Sequence, residues 1–238
     1  MIPHHLAIIM DGNRRWAKRQ ALEIALGHDE GAQNLKKIGK LVADKGIEHL
    51  TVFAFSAENW KRHQAEVDSL IALLKRFLMQ ETEELASENI RVQVIGDATA
   101  FDADIQKLFD NLEAQTAQNT GLNLNIAINY GGRQDIAHAA MKLAEQMARG
   151  LTITPEKAEW ALKSHLMTQE LPDIDLLIRT GGEKRLSNFL LWECSYAELY
   201  FSEALWPDFS EQDLNAALEE FSSRNRRFGG DTILRTVG

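Results

Sequence analysis

The sequence predicts an α/β fold: a single domain with a mainly parallel central sheet of about six strands, flanked by helices. Three observations carry this. Short apolar, β-branched runs alternate along the chain with segments of helical periodicity, the pattern of repeated strand–helix crossovers. The 238 residues are 45% hydrophobic, enough for one large core. No Pro/Gly/Ser-rich linker, internal repeat or low-complexity stretch divides them, so residues 1–238 read as one domain.

The elements follow in order. Residues 5–9 are the first expected strand, whose apolar run Leu6-Ala7-Ile8-Ile9 is stopped by the turn chemistry of Asp11-Gly12-Asn13. The residues after it can start a helix. Ala32, Leu35, Ile38, Leu41 and Val42 recur at helical spacing, so 29–45 is a helix ended by Lys45-Gly46. Residues 47–55 are a second strand, rich in β-branched and aromatic side chains. A long helix over 65–87 carries the stripe Val67, Leu70, Ile71, Leu74, Phe77, Leu78 and Leu85. Residues 90–95 and 122–129 alternate as strands on either side of a helix at 102–117. A helical pattern at 134–148 follows. Thr154-Pro155-Glu156 reads as a capped helix start. Residues 174–178 are a fifth strand, and 189–201 contain a sixth. Ser210 caps a final helix carrying Leu214, Ala217, Leu218 and Phe221.

The polar stretches that stand out each follow a strand directly: Asp11-Gly12-Asn13, Ser56 to Arg62, Gly131-Gly132-Arg133 and Arg179 to Asn188. In a parallel sheet these share the carboxyl edge, where ligands of open α/β sheets bind.

The formal charge of −9 argues against nucleic-acid binding. Yet the positive charge is clustered, at Arg14, Arg15, Lys18 and Arg19, at Arg179, Lys184 and Arg185, and at Arg224, Arg226 and Arg227. Basic islands in an acidic chain suit a small anionic ligand, although any one of them alone reads as a solvated face. Cys194 is the only cysteine, so no disulfide framework exists and a reducing, cytoplasmic setting is expected. Residues 1–9 do not resemble a signal peptide, and no apolar run approaches a membrane span.

Asp11 with Gly12 and Asn13 could hold Mg²⁺ against a diphosphate, but the tripeptide alone reads more simply as an Asp-Gly turn. Arg179-Thr180-Gly181-Gly182-Glu183-Lys184-Arg185-Leu186-Ser187-Asn188 is the richest stretch. Its glycines allow close backbone approach, its arginines grip phosphate in bidentate fashion, and Ser187 adds a hydroxyl. The loop Ser56, Glu58, Asn59, Trp60 and Arg62 reads equally as a lid over substrate or as a helix-capping loop. His28 is a phosphate donor or a structural histidine, and Glu198 is a ligand contact or a solvent-facing strand position. No Walker A sequence, Gly-x-Gly-x-x-Gly fingerprint, zinc-type cluster or Gly-x-Ser-x-Gly elbow is present. The Asp-Asp-x-x-Asp motif of all-helical prenyl synthases is also absent.

Taken jointly, the motifs resemble those of the cis-prenyltransferases, the undecaprenyl diphosphate synthase family. The matching stretches are Ile8 to Asn13, Gly27-His28, Phe53 to Ser56, Glu58-Asn59-Trp60 with Arg62, Asn129 to Arg133, Asp175 to Glu183, Arg185 with Ser187 to Trp192, Tyr196 to Phe201, Trp206-Pro207, and Arg226 to Gly229. They cover nearly the whole chain in order.

The resemblance implies condensation of isopentenyl diphosphate onto an allylic diphosphate such as farnesyl diphosphate. The product is a long-chain Z-polyprenyl diphosphate such as undecaprenyl diphosphate, a cell-wall lipid carrier. It implies Mg²⁺ at Asp11, with Asp11 and Asn59 catalytic. Gly12, Asn13, Arg14, Arg15 and His28 would cradle the allylic diphosphate, and Arg179, Arg185 and Ser187 the isopentenyl diphosphate. Trp16 and Glu58 count among the substrate-binding side chains, and Glu198 among the metal ligands. Ser56, Asn59, Trp60 and Arg62 would form a mobile loop. A hydrophobic tunnel between sheet and helices would be limited by Ile47, Ala54, Ile90 and Leu122. The family also implies a homodimer, in which Arg227-Phe228-Gly229 reaches the partner's site, with only transient membrane contact for product release.

The chain departs from the family pattern at Ile24, where a basic residue usually supports the allylic diphosphate. Arg14 stands where many members have Gly, His63 replaces a frequent Pro, and Lys184 a frequent His. A short-chain or irregular condensing enzyme, or a non-catalytic partner subunit, are the alternatives on the same fold.

Overall fold

The computed structural model describes residues 1–224. Six strands form one sheet: β1 (His5–Ile9), β2 (His49–Ser56), β3 (Arg91–Ile95), β4 (Asn123–Tyr130), β5 (Leu176–Arg179) and β6 (Glu198–Phe201). Their order is β3-β4-β2-β1-β5-β6, and every pairing is parallel. β1 lies inside the sheet with all five residues buried, which is why its sequence is an unbroken apolar run.

Helices make the crossovers. α1 (Asn13–Arg19) and α2 (Ile24–Asp44) join β1 to β2, α3 (Gln64–Ser87) joins β2 to β3, and α4 (Ala103–Thr116) joins β3 to β4. α5 (Gly132–Ala148) and α6 (Pro155–Lys163) lie between β4 and β5, and α7 (Glu211–Ser223) follows β6. The two-residue period of the strands sorts the core into two layers. Leu6 and Ile8 of β1 pack with Leu35 and Ile38 of α2, Leu78 of α3, and Leu214 and Phe221 of α7. Ala7 and Ile9 face the other layer, with Leu171, Ile174, Phe189 and Leu190.

The second layer also buries a polar ladder across three strands. His5 Nε2 lies 2.7 Å from Thr51 Oγ1, and Asn125 donates to the same oxygen at 3.0 Å. His5 Nδ1 lies 2.8 Å from the carbonyl of Pro172. Each member has its partner, as burial demands.

Three details among others differ from the sequence expectation. α2 begins at Ile24 rather than at 29, because Gly27 and Gly31 are helical despite their low propensity. A Cβ on Gly27 would stand 2.3 Å from the backbone oxygen of Asn13, and one on Gly31 would stand 2.6 Å from the Asn13 side chain. Glycine is what lets α1 lie on α2. Between 189 and 201 only Glu198–Phe201 is strand, since Ser187, Asn188 and Leu190 hold positive φ angles that break extended backbone. Thr154 precedes α6 with Pro at its start, but its side chain accepts no capping bond. Ser210 does cap α7, accepting from the Asp213 N–H at 3.3 Å while Asp213 accepts from the Ser210 N–H at 2.8 Å.

After β1 the chain turns toward β2, and after β5 it turns toward β6. These adjacent strands therefore part at their carboxyl ends, leaving the crevice typical of a topological switch point.

Candidate active site

The crevice holds a cleft of about 1360 Å³, lined among others by Asp11, Asn13, His28, Ser56, Glu58, Asn59, Arg62, Arg179, Arg185, Ser187 and Asn188. The loops after β1, β2 and β5 thus meet at one edge, and the convergence expected from the sequence is real.

Asp11 sits where β1 ends. Its backbone oxygen accepts from Thr180 Oγ1 at 2.7 Å and from the N–H of Trp206 at 3.0 Å. Gly12, at φ 118°, lets the loop press against Leu205, whose Cα would be 2.9 Å from a Cβ there. The loop is fixed from both sides, leaving the Asp11 carboxylate aimed into the cleft. Arg179 Nη2 donates to it at 2.9 Å, and Arg15 Nη2 lies 3.3 Å away. Arg179 is only 4% exposed. Its Nη1 donates to the Arg185 carbonyl at 2.6 Å and to Ser187 Oγ at 2.7 Å, while its Nε is buried with no partner. Arg15 Nη1 also donates to the Gly181 carbonyl at 2.7 Å, tying α1 to the loop after β5. Arg185 itself turns outward to Glu183.

A second group of cations stands on the α1 side, where Arg14, Arg15, Lys18 and Arg62 surround a contiguous recess with Asn13 and His28. Glu66 on α3 holds two of them, Arg62 at 2.9 Å and Arg14 at 3.5 Å. His28 is lowered to about 4, chiefly by burial and then by Arg62, so its ring is neutral near pH 7. Its Nδ1 lies 3.4 Å from Asn13 Nδ2, and with that amide donating, the proton belongs on Nε2. Both His28 Nε2 and Asn13 Oδ1 are buried without a partner. The two residues line the cleft, and orphaned polar atoms beside it suit a ligand that would bring their missing partners.

In the loop after β2, Asn59 Oδ1 accepts the Ser56 N–H at 3.1 Å, and Glu58 accepts from Asn188 at 2.9 Å. Ser56, Glu58, Asn59 and Arg62 all line the cleft. Trp60 does not join them. It packs on Phe55 and Phe101 at centroid distances of 5.1 and 5.4 Å, and donates to Asn129 at 2.8 Å. Trp16 likewise points elsewhere, donating to Asp208 at 2.7 Å.

Glu198 stands apart from the residues of the cleft. It opens β6 in register with Leu176, whereas Arg179 ends β5 in register with Ile9. Three residues of strand, about 10 Å, separate its level from the carboxyl edge, and its carboxylate accepts from Arg224 at 2.7 Å. Within one protomer it does not meet Asp11. Arg227-Phe228-Gly229 lies outside the described residues.

Glu66 was not singled out in the sequence, and Asn188 was named only as the end of the stretch from Arg179, with no role of its own. Glu66 reads there as one more charge on a solvated helix, and only its position four residues after Arg62 hints at a pair. Asn188 looks like loop filler, yet it bonds Glu58, Gln134 and the Arg133 N–H at once.

An apolar cavity of about 770 Å³ opens beside Asn13 and His28 and runs between sheet and helices past Ala54, Leu70, Leu74 and Phe101. A second of about 720 Å³ continues toward Ile90, Leu122 and Leu124 at the amino edge of the sheet. Leu35 and Phe77 line both. Three of the four expected tunnel positions thus lie on the walls. Ile47 is instead core, 2% exposed.

Comparison with known proteins gives the same picture. A family model described as "Putative undecaprenyl diphosphate synthase" matches residues 9–229. The ditrans,polycis-undecaprenyl-diphosphate synthase ((2E,6E)-farnesyl-diphosphate specific) of Escherichia coli K12 is 49% identical over 226 residues, covering 95% of this chain and 89% of that one. An isoprenyl transferase of Geobacillus kaustophilus is 48% identical, covering 96% and 89%. Among solved structures, lavandulyl diphosphate synthase from Lavandula x intermedia in complex with dimethylallyl diphosphate superposes with a TM-score of 0.92. That pair is 38% identical, with 96% and 98% of the chains covered. A probable undecaprenyl diphosphate synthase from Campylobacter jejuni gives 0.79 at 36% identity, with 95% and 98% covered. With motif, fold and cleft in agreement, this enzyme belongs to the undecaprenyl diphosphate synthase family of prenyltransferases.

Proposed function

We propose that the protein condenses isopentenyl diphosphate onto farnesyl diphosphate to build a long-chain Z-polyprenyl diphosphate such as undecaprenyl diphosphate, as a cytoplasmic homodimer serving cell-wall lipid carrier synthesis. The observation that carries this reading is the junction at Asn13 and His28, which line both the polar cleft and the apolar channel. A molecule with an anionic head and a growing hydrocarbon tail fits that junction.

On this reading the allylic diphosphate lies in the recess of Arg14, Arg15, Lys18, His28 and Arg62, where the neutral His28 donates from Nε2. The isopentenyl diphosphate takes Arg179, Arg185 and Ser187. Arg179 already holds Ser187, so the two act as one preformed grip. The allylic C–O bond breaks and its diphosphate leaves. The isopentenyl double bond attacks the freed allylic carbon, and a proton is lost to leave the new Z double bond. Asn59, its Oδ1 committed to the Ser56 N–H, presents its amide N–H₂ to the substrates. The apolar channel receives the lengthening tail.

Asp11 offers a hard carboxylate oxygen, and the unpartnered Asn13 Oδ1 adds a neutral one. Such donors, completed by diphosphate oxygens and water, suit Mg²⁺. The ion would neutralise charge gathering on the leaving diphosphate.

The test is Mg²⁺-dependent incorporation of isopentenyl diphosphate onto farnesyl diphosphate. Asp11→Ala is expected to lower kcat on the order of 10²–10³-fold. No prenyl product from the native chain would overturn the reading. A second reading, a shorter-chain enzyme with a smaller primer, is favoured by Ile24 and by the likeness to a synthase bound to dimethylallyl diphosphate. Competing geranyl and farnesyl primers decide, since a single short product from both would select it.

A further inference from the structure

The channel ends in a chamber whose sides differ in kind. Toward the sheet it is lined by Ile90, Leu122 and Leu124, but along the seam between α2 and α3 it is lined by Lys36, Lys40, Glu81, Glu84 and Glu88. Both helices follow one parallel strand and lead to the next, so both run from the carboxyl edge to the amino edge. Their ion pairs therefore rise in step along the channel. Asp29 meets Arg76 nearest the cleft. Lys36 then meets Glu81 at 2.6 Å and Glu84 at 2.7 Å, and Lys40 meets Glu88 at 3.6 Å.

The middle contact is unlike the others. One ammonium joins two carboxylates, and Glu81 is 9% exposed. Hydrogen bonds that it donates to Glu81 and then to Glu84 hold the Lys36 ammonium above its usual range. The contact also adjoins the boundary between the two cavities. Lys36 follows Leu35, and Glu81 lies one helical turn beyond Phe77, the two residues shared by both cavities. A tail that outgrows the first cavity must push Phe77 and Leu35 apart, and the triad ties together the two turns that carry them.

We propose that the Lys36–Glu81–Glu84 triad is a specificity-determining door that sets the length at which the growing tail stops. The proposal rests on the elongation reading above. A wall of aliphatic side chains would close this seam by permanent burial. A charged seam yields differently, because its groups are rehydrated when they part. Without Lys36, Glu81 and Glu84 are like charges on one helix face and repel, so the seam loosens.

Chain-length profiles with a farnesyl diphosphate primer and labelled isopentenyl diphosphate test this in native protein, Lys36→Met, Lys36→Arg and Glu84→Gln. Lys36→Met is expected to shift the main product longer by at least one isoprene unit while the rate of the first condensation stays unchanged. Lys36→Arg restores the native length. Raised salt, which screens such pairs, shifts the native profile the same way and leaves Lys36→Met unmoved. A native profile in Lys36→Met with an intact first condensation overturns the proposal. Should Lys36→Met fail to fold, Glu84→Gln, which keeps the Lys36–Glu81 contact, is expected to give a smaller lengthening, and none would overturn it. A native enzyme that stops after one condensation refutes the elongation reading instead, and an equally short product from Lys36→Met would then refute the door as well.

Discussion

At the residue scale, the site turns on which arginines are fixed and which are free. Arg179 spends its guanidinium on Asp11, Ser187 and the Arg185 carbonyl in one planar fork. Lysine cannot reproduce that geometry. Arg179→Lys is expected to raise KM for isopentenyl diphosphate about 10–100-fold, the equivalent of ~1.5–3 kcal/mol, and steady-state titration of that substrate checks it. Ile24 is the opposite case, an apolar residue at the first position of α2, where the family resemblance leads one to expect a cation. Ile24→Arg is expected to lower KM for the allylic substrate by a charge-assisted contact of ~1.5–3 kcal/mol. An unchanged KM would show that Arg14, braced by Glu66, already fills the role. Sequence exposed Asp11, Arg179 and Ser187 because each follows a strand in a polar run. It left the directions of Trp16, Trp60 and Glu198 open, since motif membership does not say which way a side chain points. Trp60 is held by Asn129 and two aromatic rings, none of them adjacent in sequence.

At the scale of elements, the strands were legible because five short apolar runs sit between polar stops, and β1 needed no alternation once both its faces were buried. The start of α2 was not legible. Propensity penalises Gly27 and Gly31, and only the approach of α1 explains them. Gly27→Ala is accordingly expected to cost about 1–3 kcal/mol by overpacking, despite alanine's better helix propensity. It should also weaken allylic diphosphate binding by shifting Asn13 and His28. Thermal melting and KM measured on one preparation check both effects, and a gain in stability would show that the α1–α2 contact yields easily.

For the whole molecule, buried histidines shape the response to pH. His5, fully buried in the polar ladder, is lowered to about 4 by burial, outweighing the Pro172 hydrogen bond. Between about 4 and 6.5 the unfolded chain binds more protons than the native one, so stability rises with pH through that window and is lost as pH falls. The drop of His5 corresponds to about 3 kcal/mol at full extent. His28 acts in the same direction. Asp135 and Glu193 oppose it, because burial raises both carboxyls and their contribution fades as pH rises through the raised values. Melting temperature is expected to fall from pH 6.5 to 4.5, with a shallower fall in His5→Gln. Equal slopes would place the effect elsewhere. The position of β1 has one more consequence, during synthesis. β2 covers one edge of β1, but the other stays open until residue 176 emerges to meet Leu6. At ribosomal speeds of roughly 5–20 residues per second that interval is on the order of 10–30 s. Throughout it the nascent chain carries an apolar strand with an unpaired edge, the kind of surface that holdase chaperones recognise and that aggregates in their absence.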